Sequence, residues 1–172
     1  MPFTPFHFGP GLLLKSVSPR HFSFSTFVAT QVVIDCESLY YLAQNVYPVH
    51  RTLHTLVGAT AAGLGTSAIL IGGKRIANRL VYTGSRKEDD PILVAETSTI
   101  GVLSGGILGG LSHSVLDSIM HRDVRPFAPW SNGNPFLHVI GLGALHTLCV
   151  LSGLIGLLVI GRMLSETRSP ET

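Results

Sequence analysis

The sequence predicts an all-α protein, a polytopic membrane helix bundle of about four transmembrane helices with a short N-terminal half-helix ahead of them. Three observations lead there. Over 172 residues the mean hydropathy is +0.40 and only 13% of residues are Asp, Glu, Lys or Arg, which is too apolar for an ordinary soluble chain of one-domain length. Four stretches approach the roughly 20 apolar residues that a helix needs to cross a bilayer. The chain also holds 19 glycines, and small residues let membrane helices approach closely.

The half-helix comes first. An apolar run at about 11–17 is too short to span, and extended back to Phe8 it forms a helix over 8–17 that descends to a turn at 18–20. Residues 1–10 lack a basic leader and hold three prolines, so no cleavable signal peptide is expected. The spans follow at about 22–43, 52–72, 97–119 and 135–161, the last being the longest and most apolar. Between the second and third lies the one clearly aqueous stretch, 73–96, where Lys74, Arg75, Arg79, Arg86 and Lys87 precede Glu88, Asp89 and Asp90. It reads as a charged cytoplasmic loop within a single membrane-embedded domain over 1–172. Its first part, KRIANRLVY, sets Ile76, Leu80 and Val81 at helical intervals opposite Arg75 and Arg79, the pattern of a short interfacial helix.

Short loops rich in Lys and Arg stay in the cytoplasm. The rule places the central loop, Lys15, Arg20, Arg162 and Arg168 on that side, and the loops 44–51 and 121–134 on the other. Arg51, Arg122 and Arg125 run against the bias, and Trp130 falls where an aromatic belt would put it. The net charge of +2 comes from loop residues rather than a basic face interleaved with aromatics, so no nucleic-acid partner is expected. The expected partners are the lipid bilayer and a small-molecule or lipid-like substrate. Cys36 and Cys149 lack the spacing of a zinc knuckle and read as small core hydrophobes.

Depth organises the chemistry, because a helix rises about 1.5 Å per residue. Asp35 and Glu37 fall late in the first span, His50 and His54 at the start of the second, and His113, Asp117 and His121 at the end of the third. All lie toward the outer face. His138 and His146 enter the fourth span from that side, and the half-helix brings His7 to about the depth of Asp35. Residues four apart share a helix face, so His113, Asp117 and His121 form one stripe and His50 with His54 another. Such His/Asp spacing lets one helix present two side chains to a single metal ion. Asp35 and Glu37 lie on nearly opposite sides of an ideal helix, and Asp35 is the favoured ligand.

An ionised group at mid-bilayer costs about 2.5–3.5 kcal/mol on insertion scales, and a divalent metal compensates several such groups at once. The candidate ligands are His7, Asp35, His50, His54, His113 and Asp117. Imidazole with carboxylate suits zinc first, with manganese or iron as alternatives, and a metal ion can activate water as a nucleophile at neutral pH. Asp35 or Glu37 would take the proton, and Arg51 with Arg125 would hold an anionic group such as phosphate or neutralise nearby acids. His21 and His138 read as packing or loop residues, while His121 and His146 stay open between the two roles.

These residues carry a resemblance. TPFHFGPGLLL, the acid pair of VVIDCESLYYL, the HRTLH segment and LSHSVLDSIMH followed by RDVRPFAPWS together resemble the LexA-regulated, membrane-bound metal-dependent hydrolase family, itself distantly similar to the zinc-dependent phospholipase C and P1 nuclease superfamily. The likeness covers most of the chain apart from the charged loop and the C-terminal tail. It implies a bacterial inner-membrane protein, its site facing the periplasm, with His7, Asp35, His50, His54, His113 and Asp117 as ligands. Glu37 stands where the family's second acid is commonly Asp. The expected function is hydrolysis of an ester or phosphodiester at the membrane face, with a lipid or a lipid-linked metabolite as substrate. The rival expectation is a non-enzymatic membrane protein whose metal ion is structural, transported or sensed.

Overall fold

Serine starts two of the long helices. The Ser23 hydroxyl accepts from Thr26 N at 3.2 Å and the Ser98 hydroxyl from Gly101 N at 2.9 Å, satisfying donors that a helix leaves unpaired in its first turn. The computed structural model describes residues 5–80 and 91–166, without the side chains of 77–80 and 91. Among these residues the only regular elements are helices, and there is no strand. In order come α1 (Phe8–Val17), α2 (Phe24–Ala43), α3 (Leu56–Leu80), α4 (Pro91–Thr97), α5 (Thr99–Met120) and α6 (Leu142–Glu166), with 3-10 turns at Pro5–His7 and Thr52–His54.

Among the described residues three helices are long and apolar enough to cross a membrane: α3 over Leu56–Ile76, α5 over Thr99–Met120 and α6 over Leu142–Glu166. The expected first span, α2, has 20 residues but is not one of them, because Thr30, Gln31, Asp35 and Ser38 form a buried polar face on it. The half-helix is α1, whose 10 residues rise about 15 Å, and it packs chiefly on α6.

Glycine sets the packing. α5 lies between α2 and α3, and its two glycine pairs divide the work. A Cβ on Gly105 or Gly109 would run into the backbone of Ser23, which caps α2, or of Phe27 within it, and one on Gly106 or Gly110 would run into the carbonyl oxygens of Gly63 or Ala59 on α3. Neighbouring positions on a helix point about 100° apart, so alternate members of GGILGG serve two partners. Close backbone approach of this kind is the usual basis of helix association in membranes.

Several sequence expectations are corrected. α3 begins at Leu56, later than expected, and runs without a break to Leu80, so no separate interfacial helix starts at Lys74. Val81, Arg86, Lys87, Glu88, Asp89, Asp90 and Arg168 lie outside the described residues. Residues 91–96, expected as loop, fall in α4, which begins on proline, where the missing N–H costs nothing. α6 starts at Leu142 rather than near 135, because the preceding segment folds over the end of α5. There the Asn134 amide donates to Ser118 O at 2.8 Å and His138 N donates to Ile119 O at 3.0 Å. Cys36 is exposed, on the outer side of α2 with Val32, Val33 and Tyr40, while Cys149 is buried.

Lys15 is no solvated loop cation but is 2% exposed. Its ammonium donates to Phe22 O at 3.0 Å, Ile92 O at 2.9 Å and Glu96 Oε1 at 2.8 Å. Glu96 also accepts from the Ser23 hydroxyl at 2.8 Å and from Phe24 N and Ser25 N at the start of α2. One carboxylate thus ties α1, α2 and α4 together. Burial opposes its charge, but the Lys15 ammonium and the Ser25 and Ser23 hydroxyls outweigh that and hold its pKa down to about 2, from an ordinary 4.5. A depressed folded-state pKa contributes stability above the unfolded value and loses it as pH falls toward the folded one. The melting temperature in detergent is therefore expected to drop as pH is lowered from 4.5 toward 2. Glu96→Gln should cost about 3 kcal/mol, since it strips a buried cation of its charged partner, and should flatten that part of the pH profile. An unchanged profile in the variant would disprove the assignment.

Candidate metal centre

Asp117 sits on α5 one turn beyond His113 and one turn before His121, and it is buried. Its carboxylate is where the histidines meet. Oδ1 lies 3.5 Å from His7 Nε2, while Oδ2 lies 3.3 Å from His113 Nε2, 3.4 Å from His54 Nε2 and 4.0 Å from His50 Nε2. On α2, Asp35 Oδ1 is 3.5 Å from His113 Nε2. Asp35, His54, His113 and Asp117 each offer one ligand atom, all within 4.8 Å of one another, and His50, Asp117 and His121 do the same.

Outer partners aim these rings. His54 Nδ1 is 3.2 Å from Glu37 Oε2, His50 Nδ1 is 2.9 Å from Asp123 Oδ1, and His113 Nδ1 is 3.4 Å from Gln31 Oε1. In each ring Nδ1 is taken by an oxygen acceptor, which leaves the Nε2 lone pair on the side of Asp117, that of His54 also lying 3.2 Å from the Ser38 hydroxyl. Gln31 also donates from Nε2 to His7 O at 3.3 Å, linking the N-terminal turn to the same network.

His7 occupies the 3-10 turn ahead of α1 and is 3% exposed. Burial pushes its pKa down to about 4, against the pull of Asp117, so the ring is neutral near pH 7 and ligand-competent. Burial likewise lowers the pKa of His54, against its hydrogen bond to Glu37. Both ring nitrogens of His7, and Nε2 of His113, are buried without a hydrogen-bond partner. Each such orphan costs about 1–3 kcal/mol in a folded protein. A cation that accepts the lone pairs of His7 Nε2 and His113 Nε2, and that two buried carboxylates neutralise, removes that part of the penalty. This His/Asp group can hold a metal ion.

The structure brings together His7, Asp35, His50, His54, His113 and Asp117. It does so by a route that differs from the expected one at His50 and His54. These two were expected on one face of a helix, but they lie in a loop and a 3-10 turn before α3. Carboxylates hold that backbone: Asp123 accepts from Val49 N and His50 N, each at 3.2 Å, and Glu37 accepts from Arg51 N at 3.3 Å and Leu53 N at 2.9 Å. Glu37, expected as a proton acceptor for water, is instead occupied behind His54 by three N–H groups. Asp123 and Gln31 were not picked out from the sequence. Gln31 stands four residues before Asp35, a spacing that could have exposed it, whereas nothing local marks Asp123.

Arg51 and Arg125 lie beside the cluster rather than in it. The Arg51 guanidinium covers the Tyr41 ring at 3.9 Å and its Nε donates to Pro48 O, while Arg125 donates to Asn132 Oδ1 at 3.2 Å. Among the described residues neither pairs with a carboxylate. Both line a pocket of about 720 Å³ whose wall includes His50, Thr55, Val57 and Ala61. His146 stacks on Phe6 at 4.5 Å, next to His7, and His21 is exposed.

Because Glu37 orients His54, Glu37→Gln is expected to weaken metal affinity about 10–100-fold, the usual effect of losing such a partner. Competition with a chromogenic chelator reads this directly, and an unchanged affinity would rule the role out. No protein-family model, curated protein or solved structure matches the chain.

Proposed function

We propose that this chain is an integral membrane, metal-dependent hydrolase of the LexA-regulated type that cleaves an ester or phosphodiester bond in a lipid-like substrate. The observation that carries the reading is the buried quartet Asp35, His54, His113 and Asp117, with ligand atoms within 4.8 Å of one another, beside a pocket that His50 and two arginines line. His7, Asp35, His50, His54, His113 and Asp117 would hold the ion, zinc by preference, with manganese or iron as alternatives for such donors. A bound divalent ion supplies Lewis acidity there.

The chain's own groups do the rest. Glu37 and Asp123 fix the tautomers of His54 and His50. Asp35, at the edge of the quartet, takes the proton from the attacking water. Arg51 and Arg125 hold the anionic group of the substrate, and Val57 and Ala61 offer an apolar wall to its tail. In the bilayer α2 makes a fourth crossing with its polar face turned to the site, since 20 residues reach about 30 Å. The loops before α3 and after α5 then open to the periplasm from a bacterial inner membrane.

A closed, fully buried ligand set is also what a structural metal site looks like, and a non-enzymatic role is the second reading. Purified without chelators, the protein should carry divalent metal and hydrolyse phosphodiesters or phospholipids, and a His113→Ala, Asp117→Ala double variant should lose both. Metal-free wild-type protein would sink the first reading. Metal without turnover, in a protein that unfolds when the metal is stripped, would establish the second.

A further inference from the structure

The end of the bundle away from the metal centre holds a second cavity, of about 440 Å³, between the start of α2, the far part of α3, the end of α4 and the start of α5. From Leu56 to Lys74 α3 rises about 27 Å, so this cavity and the His/Asp cluster lie in opposite halves of the bundle. The helices themselves set its level. The apolar span of α3 ends at Ile76 and that of α5 begins at Thr99, which is where the headgroups of a bilayer would lie. Lys74, Arg75, Glu96 and Thr99 line the polar side of the cavity, and Leu70 and Ile71, one turn back along α3, line its apolar side.

The polar side is net basic. The Glu96 carboxylate is already met by the Lys15 ammonium, the Ser23 and Ser25 hydroxyls and two N–H groups of α2, and Lys15 balances its charge. That leaves Lys74 and Arg75. The half-buried Lys74 ammonium is held in place by donating to Thr97 O, while Arg75 is exposed and among the described residues pairs with no carboxylate. The first turn of α5 adds donors: the Ser98 hydroxyl takes the Gly101 N–H, whereas the N–H groups of Thr99 and Ile100 have no acceptor within the helix. The dipole of that helix end also favours an anion.

The geometry points to a site for one anionic phospholipid, its phosphodiester held by Lys74 and Arg75 at the start of α5 and its acyl chain laid along Leu70 and Ile71. A soluble phosphate would meet the same cations, but it would leave the apolar side of the cavity unused. Leu70 is 41% exposed and runs from the headgroup level into the span, as a tailed ligand requires. Basic pockets between membrane helices are a recurring form of headgroup site. A lipid bound here bridges the ends of α3 and α5 far from the His/Asp cluster, so it acts on the stability of the bundle and not on the chemistry of the metal centre.

Native mass spectrometry of the full chain in detergent, titrated with phosphatidylglycerol or phosphatidylcholine, tests this. Wild-type protein should retain one phosphatidylglycerol per chain in preference to phosphatidylcholine, and only the anionic lipid should raise its melting temperature. Arg75→Gln should weaken retention about fivefold, and Lys74→Gln with Arg75→Gln about 30-fold, the scale of one and two basic side chains beside an anionic headgroup. Arg75→Gln breaks no ion pair among the described residues, so it reads the site even if the double variant folds poorly. Arg162→Gln, on the end of α6 far from His146, should leave retention unchanged. An equal loss in Arg162→Gln would mean diffuse attraction to surface charge and would overturn the proposal. Equal retention of phosphatidylcholine, or wild-type retention of phosphatidylglycerol by Arg75→Gln, would overturn it as well. Displacement of the lipid by glycerol 1-phosphate at a matching concentration would make this a soluble-phosphate site, and the lipid assignment would fall.

Discussion

Replacing Asp117 by asparagine is expected to empty the metal centre while leaving the helices assembled. Four imidazoles approach this one carboxylate within 4.0 Å, so it supplies the charge that lets a cation enter a buried pocket of neutral rings. Asparagine keeps the shape, offers one oxygen in place of two, and carries no charge. The loss in metal affinity should exceed the roughly 10–100-fold that an outer partner such as Glu37 contributes, and hydrolysis should fall with it. Metal content after dialysis reads the first effect. Helical circular dichroism, unchanged at room temperature, excludes a folding defect. Retention of stoichiometric metal in Asp117→Asn would contradict the assignment of Asp117 as the central ligand.

The second large effect is expected at a site with no chemistry. Gly110→Leu places a side chain where the Ala59 carbonyl of α3 already lies, and backbone cannot move aside as a flexible side chain can. Overpacking a well-filled interior costs about 1–3 kcal/mol even when side chains can adjust, and here the cost should reach or pass the upper end. The variant should melt far lower in detergent and elute as a broad, aggregated species. Gly65→Leu is the control, because nothing lies within 4 Å of a Cβ built there. If the two variants melt alike, close α3–α5 approach is not what holds the bundle.

These two positions also mark how legible the molecule was. GGILGG shows small residues in the sequence but not which neighbour each serves. That α5 stands between α2 and α3 follows from the assembled bundle. The stripe His113, Asp117, His121 was readable because it depends only on the helical period, a local property. The half-helix was readable too, from the length of an apolar run, and its bounds in α1 match those expected. His50 and His54 were grouped together correctly on a mistaken geometry. Their spacing fits a helix, yet Asp123 and Glu37 draw the backbone of 49–53 into a loop.

Local pattern determined the helical class, the apolar stretches and the identity of the residues able to bind metal, because periodicity and composition act over a few turns of one chain segment. Tertiary structure decided the rest. It turned Glu37 from a candidate base into the partner of His54, enlisted Gln31 and Asp123, buried Lys15 against Glu96, and set Arg51 and Arg125 along a pocket instead of over the acids. Each of these depends on a polar group finding a partner many residues away, where leaving it unpaired in a buried place would cost more than ordering the chain around it.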